Sequence, residues 1–393
     1  MRLENLLLNN FKNYSNDSFS FSPRLNFIYG NNGNGKTNIL EAISFLCYTK
    51  SFLQNAEPEC IKRGEGYFRI YGLFKNDLDS EFKINLDFSS GETGKTFTLN
   101  TEKVNKLNEI LGLLPLVTLS PYDLKLTTGV PHERRRNFDL LISQTSRIYL
   151  EDIRNLSRIL RQKNTLLKDN LMTKRYSYND LKQMIKVWNE ELINVSVKII
   201  VRRMDFMDNF KPLLAESFRE LVDSNYEPIV EIESDLLNTN NNDIDLDTLS
   251  NSFRTCIDEK LDQEIKRGIS LFGPQRDNYV FTMKKNGDIF DVRSFASQGE
   301  HKLFLIALKL AEFKYISRFI EGSFKGLPIF ILDDLFSELD EEKVNRLCEL
   351  LPRYNQLFIT TTDYKYLGKL TKYFPGIESK AFEIVNGKVI HVN

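Results

Sequence analysis

Eight residues constrain this chain more than any others. Gly30-Asn31-Asn32-Gly33-Asn34-Gly35-Lys36-Thr37 follows the apolar run Leu25 to Tyr29 and precedes Asn38 to Leu46, where Ile39, Leu40, Ile43 and Leu46 recur at helical spacing. The expected local structure is strand, loop, helix. Glycines so placed let successive backbone N–H groups face inward, and the helix start adds its positive end, so the loop is a cradle for phosphate. In this pattern Lys36 reaches the β/γ-phosphates and Thr37 ligates Mg²⁺. Nucleotide contacts are expected from Gly30, Asn31, Asn32, Gly33, Asn34, Gly35, Lys36, Thr37 and Asn38, with Lys36 in a solvent-facing loop.

A cradle of this kind needs a carboxylate for its metal, and the chain offers one far downstream. Leu327 to Leu332 reads as a buried strand beside the phosphate-loop strand, and it ends in Asp333 and Asp334. Asp333 suits the Mg²⁺ role; Asp334 suits orienting or deprotonating an attacking water. The distance in sequence from Lys36 to Asp333 is very long for a compact nucleotide fold. Something large is inserted between two halves of one domain, and 393 residues leave room for it.

The insertion has its own character. The N-terminal part reads as a β-hairpin (Leu3 to Phe21), then strands at Tyr67 to Tyr71, Phe82 to Phe88 and Lys95 to Leu99. From Gly129 onward polar helices take over, roughly Glu151 to Leu167 and Ser177 to Ser224, with Trp188, Leu192, Val195 and Ile199 on one apolar face. Residues 238–242 read as an Asn-rich linker, and beyond Phe253 the chain returns to strands at Tyr279 to Met283 and Ile289 to Val292. The boundaries expected are 1–125 for the first part of the nucleotide-binding domain, 126–255 for a helical insertion, and 256–393 for the second part.

The net charge of −1 hides an asymmetry within the insertion: Arg134 to Arg203 holds sixteen Lys/Arg against seven Asp/Glu, and Asp223 to Glu264 holds two against twelve. The first segment is a surface for phosphate or a solvated helix face; the second is neither a DNA surface nor a metal loop. Asp243-Ile244-Asp245-Leu246-Asp247 lacks the glycine and closing Glu of a calcium loop and reads as a solvated acidic turn. Cys47, Cys60, Cys256 and Cys348 are far apart, which excludes a Cys-x-x-Cys zinc site and leaves reduced core thiols. No apolar run reaches roughly 18 residues and no signal pattern opens the chain, so the expectation is a cytoplasmic protein with no membrane partner.

Ser297-Gln298-Gly299-Glu300 opens an apolar helix from His301 to Ile320. Ser followed three residues later by Glu is a capping box, and the same geometry is an anion site. The order of Gly-Lys-Thr loop, Ser-x-Gly-Glu helix start and Asp-Asp strand resembles that of ATP-binding-cassette ATPases. Within them the chain is similar to the RecF family, relatives of SMC heads. That likeness rests on Leu8 to Tyr14, Gly30 to Thr37, Thr49 to Phe52, Ser120 to Leu124 with Gly129, Pro131, Arg134, Arg135 and Asp139, Gly273 to Asp277, Ser297 to Glu300, Leu332 to Asp334 and Ser337 to Asp340. Gln275, Asn278 and Glu300-His301 depart from the family pattern, which weakens a catalytic reading of the Gly273 loop.

The resemblance implies an α/β fold, a P-loop ATPase head of the ATP-binding-cassette type interrupted by a mainly helical insertion, binding ATP and Mg²⁺. Lys36, Asp334 and Ser297 would carry catalysis, Ser297, Gln298, Gly299 and Glu300 would contact nucleotide held by a second copy, and Thr37 and Asp333 would hold the metal. It further implies an ATP-dependent homodimer on double-stranded or gapped DNA, weak ATP hydrolysis for release, and mediators like RecR and RecO that help a recombinase load. The alternative is the ATPase subunit of a membrane transporter, against which Thr360-Thr361-Thr362 stands where a switch histidine is usual. A purely structural head would need long coiled-coil heptads, which are missing here.

Overall fold

The computed structural model describes residues 1–91, 94–106, 109–222, 226–235, 246–320, 326–374 and 379–392. In chain order it begins with β1 (Arg2–Phe11), β2 (Tyr14–Ser20), β3 (Leu25–Tyr29) and α1 (Lys36–Tyr48). Strands β4 (Tyr67–Lys75), β5 (Glu81–Ser89), β6 (Lys95–Leu99), β7 (Glu102–Lys103) and β8 (Leu116–Leu119) follow. Then come α2 (Leu124–Thr128), α3 (Pro131–Thr145), α4 (Arg147–Thr173), α5 (Tyr178–Leu221), β9 (Tyr226–Glu233) and α6 (Leu246–Arg267). The rest is β10 (Asn278–Lys285), β11 (Asp288–Asp291), α7 (Val292–Phe295), α8 (Gln298–Ile320), β12 (Ile329–Leu332), α9 (Glu341–Leu350), β13 (Leu357–Thr361), α10 (Lys365–Tyr373), β14 (Ser379–Val385) and β15 (Lys388–Val392).

The chain divides into two compact units: residues 1–128, 213–228 and 283–393 form one, and 129–212 with 229–282 form the other. The first is the α/β head. Its six-stranded sheet β15-β14-β3-β13-β12-β8 is parallel except for the β14–β15 hairpin. A second, antiparallel sheet runs β2-β1-β4-β5-β6-β7. The central strands β12 and β13 are buried at every residue, as parallel strands covered on both faces must be. Helix α1 is buried from Ile39 to Tyr48, on all sides and not on the single face its spacing suggested.

The opening hairpin forms as expected, β1 paired antiparallel with β2 and followed by β3, though it belongs to the antiparallel sheet. One expectation about this unit changes: strand β12 is not beside β3, because β13 lies between them, paired parallel to both. The polar Thr360-Thr361 end of β13 therefore sits between the phosphate loop and the Asp-Asp turn.

The second unit is mainly helical, with α3 and α6 both packed on α4. Helices α4 and α5 extend beyond the expected Glu151 to Leu167 and start and stop differently from Ser177 to Ser224. Leu192, Val195 and Ile199 are buried as read, and Trp188 is half-buried. Beyond Phe253 the chain returns to sheet where expected, at β10 and β11, after α6 has run to Arg267 with Leu249, Phe253, Ile257 and Leu261 buried at every fourth position. Because α6 packs on α4, residues 256–282 group with the helical unit, and 213–228 group with the head; the expected span of 126–255 differs at both ends. The Asn-rich linker at 238–242 and residues 243–245 of the acidic turn lie outside the described residues.

Buried polar groups organise this unit. The Arg203 guanidinium, 1% exposed, donates to both Asp139 oxygens (2.9 and 3.2 Å), Asp277 Oδ2 (2.5 Å), Tyr149 Oη (3.0 Å) and the Pro274 carbonyl (2.8 Å). The Gly273 to Asp277 loop is thus held from inside by an arginine, a structural task. Lys163 and Glu264, both wholly buried, pair at 2.7 Å, and Glu264 also accepts from the Leu271 N–H at 2.7 Å. Burial pushes the Lys163 amine down from its ordinary value and Glu264 opposes that.

Candidate nucleotide site

The loop between β3 and α1 is shaped by close approach on two sides. Gly30 has φ +145°, and a Cβ there would stand 2.3 Å from the Ile384 carbonyl oxygen. Gly35, with φ +100°, would put a Cβ 2.3 Å from Asn13 Nδ2. Only glycine fits either place. The turn after β1 reaches in to fix the loop: Asn13 donates to the Asn34 carbonyl (3.1 Å), accepts from Asn38 Nδ2 (2.8 Å), and Tyr14 Oη donates to the Gly35 carbonyl (3.1 Å). From the other side Asn34 Nδ2 donates to the Ile384 carbonyl at 2.9 Å. Gly35 caps α1 with no side-chain hydrogen bond, so the first N–H groups of the helix face the loop without a side-chain acceptor.

Lys36 is the first residue of α1 and is 8% exposed, not a solvent-facing loop residue. Its ammonium donates to the carbonyls of Gly30 (2.7 Å) and Asn31 (3.0 Å). Burial lowers its pKa, against the attraction of Asp333 and Asp334. Thr37 Oγ1 lies 3.0 Å from both oxygens of Asp333, and Thr360 Oγ1 donates to Asp333 Oδ1 at 2.5 Å. Burial raises the pKa of Asp333, while hydrogen bonds from Thr360 and Thr37 pull it back. The same Thr360 hydroxyl accepts the Asp334 N–H at 2.9 Å.

These residues line one pocket of about 270 Å³: Asn32, Gly33, Gly35, Lys36, Thr37 and Asn38 from the loop and helix, Asp333 and Asp334 from the turn after β12, and Thr360 and Thr362 from β13 and beyond, with Pro121. The Thr37 hydroxyl and Asp333 carboxylate are hard oxygen donors that meet at one point, which fits Mg²⁺; among the described residues no cluster of three or more His, Cys, Asp or Glu offers a fuller cage. Mg²⁺ tolerates so sparse a protein set because it keeps waters and takes phosphate oxygens.

Ser297 to Glu300 are not in this pocket. Ser297 and Glu300 form the capping box read from the sequence: Glu300 Oε2 accepts from Ser297 N (2.8 Å) and Oγ (2.9 Å), and the Glu300 N–H reaches Ser297 Oγ at 3.3 Å. Tyr226 Oη donates to Glu300 Oε1 at 3.1 Å. Gln298 lines a neighbouring pocket with Pro121, Lys302, Asp334, Ser337 and Glu338. Ser297 itself is exposed, and so is Gln298.

Three residues of the site were not assigned a role from sequence. Asn13 and Tyr14 fall in the Leu8 to Tyr14 stretch on which the family likeness rests, but that stretch gives them no place at the loop. Thr360 was noted only as the place where a histidine is missing; its two-sided hydrogen bonding follows from the strand order, which no local pattern encodes. The four cysteines are free, with Cys47, Cys60 and Cys348 buried. Among the described residues no helix is long and apolar enough to cross a membrane.

Comparison with known proteins gives a consistent picture. The family model described as RecF/RecN/SMC N terminal domain matches residues 2–381. A protein of Chloroherpeton thalassium named "DNA replication and repair protein RecF" is 35% identical over 378 residues, 96% of this chain and 99% of its own. A solved structure described as the recombination mediator protein RecF-ATP in the RecFOR pathway superposes with a TM-score of 0.85 at 26% identity, over 99% of this chain and 96% of the other. An Smc head domain from Pyrococcus furiosus shares the fold, at 18% identity, a TM-score of 0.56, and coverage of 100% and 96%.

Proposed function

The chain belongs to the RecF/RecN/SMC N-terminal domain family, and on that premise we propose that it is an ATPase of DNA replication and recombinational repair, binding ATP in the Gly30–Thr37 cradle. The observation that carries the reading is the convergence of Lys36, Thr37, Asp333 and Asp334, from sequence segments some 300 residues apart, on one pocket. Bound with the nucleotide, Mg²⁺ neutralises phosphate charge, and Thr37 and Asp333 would hold it. Lys36, at the start of α1, would exchange its carbonyl acceptors for β/γ-phosphate oxygens. The carboxylate of Asp334 orients the attacking water or accepts its proton.

Ser297 and Gln298, exposed and outside the cradle, suit contact with nucleotide held by a second copy. In this reading ATP closes a homodimer on duplex or gapped DNA, hydrolysis releases it, and mediators of the RecR and RecO kind act on the complex. The exposed arginines of α4 are candidates for the phosphate contacts. The transporter alternative is set aside: the relative that spans nearly the whole chain carries the name of a DNA replication and repair protein.

Filter or anisotropy binding to duplex DNA with and without ATP tests the reading, and equal affinity in both arms would sink it. Asp334→Asn should keep ATP binding and lower hydrolysis by roughly 10²-fold or more. For the dimer, Lys36→Ala and Ser297→Arg proteins should each be inactive, and an equal mixture should regain up to about a quarter of wild-type hydrolysis through hybrids with one intact composite site. Normal hydrolysis by Ser297→Arg alone would leave the serine a helix cap and nothing more.

A further inference from the structure

Asp334 sits in a left-handed conformation, φ +50°, which Asp adopts more readily than most residues and which the surrounding contacts hold here. Both peptide groups that flank it are anchored. On the N-terminal side its N–H donates to Thr360 Oγ1 at 2.9 Å. On the C-terminal side its carbonyl accepts from Lys302 Nζ at 3.2 Å and from Ser337 Oγ at 3.0 Å, and Lys302 Nζ also lies 3.4 Å from Ser337 Oγ. With both peptide planes fixed, φ and ψ of Asp334 are fixed, and so is the direction of its Cα–Cβ bond, the base from which its carboxylate reaches into the pocket.

Lys302 is the distant member of this set. It lies on α8, the helix that opens with the Ser297–Glu300 capping box, and is only 8% exposed. A buried ammonium needs a reason to be there. Among the described residues its acceptors are a main-chain carbonyl and a hydroxyl, with no carboxylate in an ion pair; the carboxylates of Asp334, Glu338, Asp333 and Asp123 act on it through space. Its neighbours in the adjoining pocket include Gln298 from the same helix start.

Resting on the reading of Asp334 given above, we propose that Lys302 is a positioning residue for ATP hydrolysis, clamping the peptide plane after Asp334 and so tying the placement of the α8 start to the aim of the Asp334 carboxylate. Contact made at Ser297 or Gln298 is then felt at Asp334 through a single side chain. Nucleotide affinity does not depend on this clamp, because Lys302 is absent from the cradle pocket.

The test is Lys302→Met, which keeps the packed stem and removes the donor, measured by steady-state ATP hydrolysis of the full chain alongside Asp334→Asn and the double variant. The expected result is a kcat about tenfold lower with KM within about twofold of wild type, and no further loss when Lys302→Met is added to Asp334→Asn. Lys302→Arg, which restores a donor, should recover part of the rate. Wild-type kcat in Lys302→Met, or losses that multiply in the double variant, would overturn the proposal while leaving Asp334 in place. A wild-type rate in Asp334→Asn would instead remove the reading of Asp334, and this inference with it. Should Lys302→Met not fold, Ser337→Ala removes the other donor to the same carbonyl and is expected to lower kcat about threefold with KM unchanged; an unchanged kcat there overturns the clamp.

Discussion

Lys36 braces the loop, its ammonium closing on the carbonyls of Gly30 and Asn31, and in the proposed reading it turns to phosphate when nucleotide binds. Charge-assisted hydrogen bonds contribute about 1.5–3 kcal/mol, so Lys36→Ala should weaken ATP binding by roughly 10- to 100-fold. Titration calorimetry measures it directly, and an affinity within error of wild type would move the site elsewhere. The residues that sequence reading found here share one property: their chemistry is encoded by spacing along a few consecutive positions, as in Gly30 to Thr37 or the Asp333-Asp334 pair. Thr360 escaped because its role depends on β13 lying between β3 and β12. Its hydroxyl meets Asp333 and the Asp334 N–H only across strands. The burial of Lys36 escaped because its ammonium folds back onto the loop, donating to the Gly30 and Asn31 carbonyls, a turn that spacing alone does not show.

Elements that advertise themselves by periodicity were legible, and those whose apolar stripe is diluted by charge were not. Helix α6 carries Leu249, Phe253, Ile257 and Leu261, a stripe at every fourth residue, but it begins in an acidic run that reads as a turn. The helix is secured by the Lys163–Glu264 pair, and truncating one partner of a buried pair costs about 3–5 kcal/mol. Lys163→Ala should therefore destabilise the helical unit by that amount, and Lys163→Met with Glu264→Gln by less than about 2 kcal/mol, because no net charge then remains buried. The chain has one tryptophan, Trp188 on α5, so urea unfolding followed by its fluorescence reports this unit. Equal losses in both variants would contradict the argument. Helix α9 offers a pH-dependent case. Asp340 caps it, accepting from the Lys343 N–H at 2.9 Å and pairing with the Lys343 ammonium at 2.6 Å. Those contacts hold its pKa below the ordinary carboxylate value. For a carboxylate depressed on folding, the stabilisation is present above the unfolded value and lost as pH falls through the folded one. Asp340→Ala should thus cost about 1 kcal/mol at neutral pH, and the gap in melting temperature should close below about pH 4; a gap that does not change with pH would mean the charge plays no part.

At the level of the whole molecule, the basic segment is less of a surface than its composition implies. Of its sixteen cations, Lys163, Arg203 and Arg134 are buried in internal contacts, whereas Arg154, Arg158 and Arg161 are exposed on α4. If those three meet phosphate, replacing them together should flatten the dependence of log affinity on log salt by about 2 to 3 units, at close to 0.9 per contact. An unchanged slope would place the contact elsewhere. The strand order of the parallel sheet has a consequence for how the protein is made. The phosphate-loop strand β3 lies between β13 and β14 in the sheet, and both come from the last tenth of the chain. At the usual rate of synthesis, on the order of 10 residues per second, β3 leaves the ribosome roughly half a minute before either partner exists. The cradle is then among the last features to form, nucleotide cannot guide early folding, and a nascent chain stalled before Leu357 carries an apolar strand with two open edges, a natural client for a chaperone.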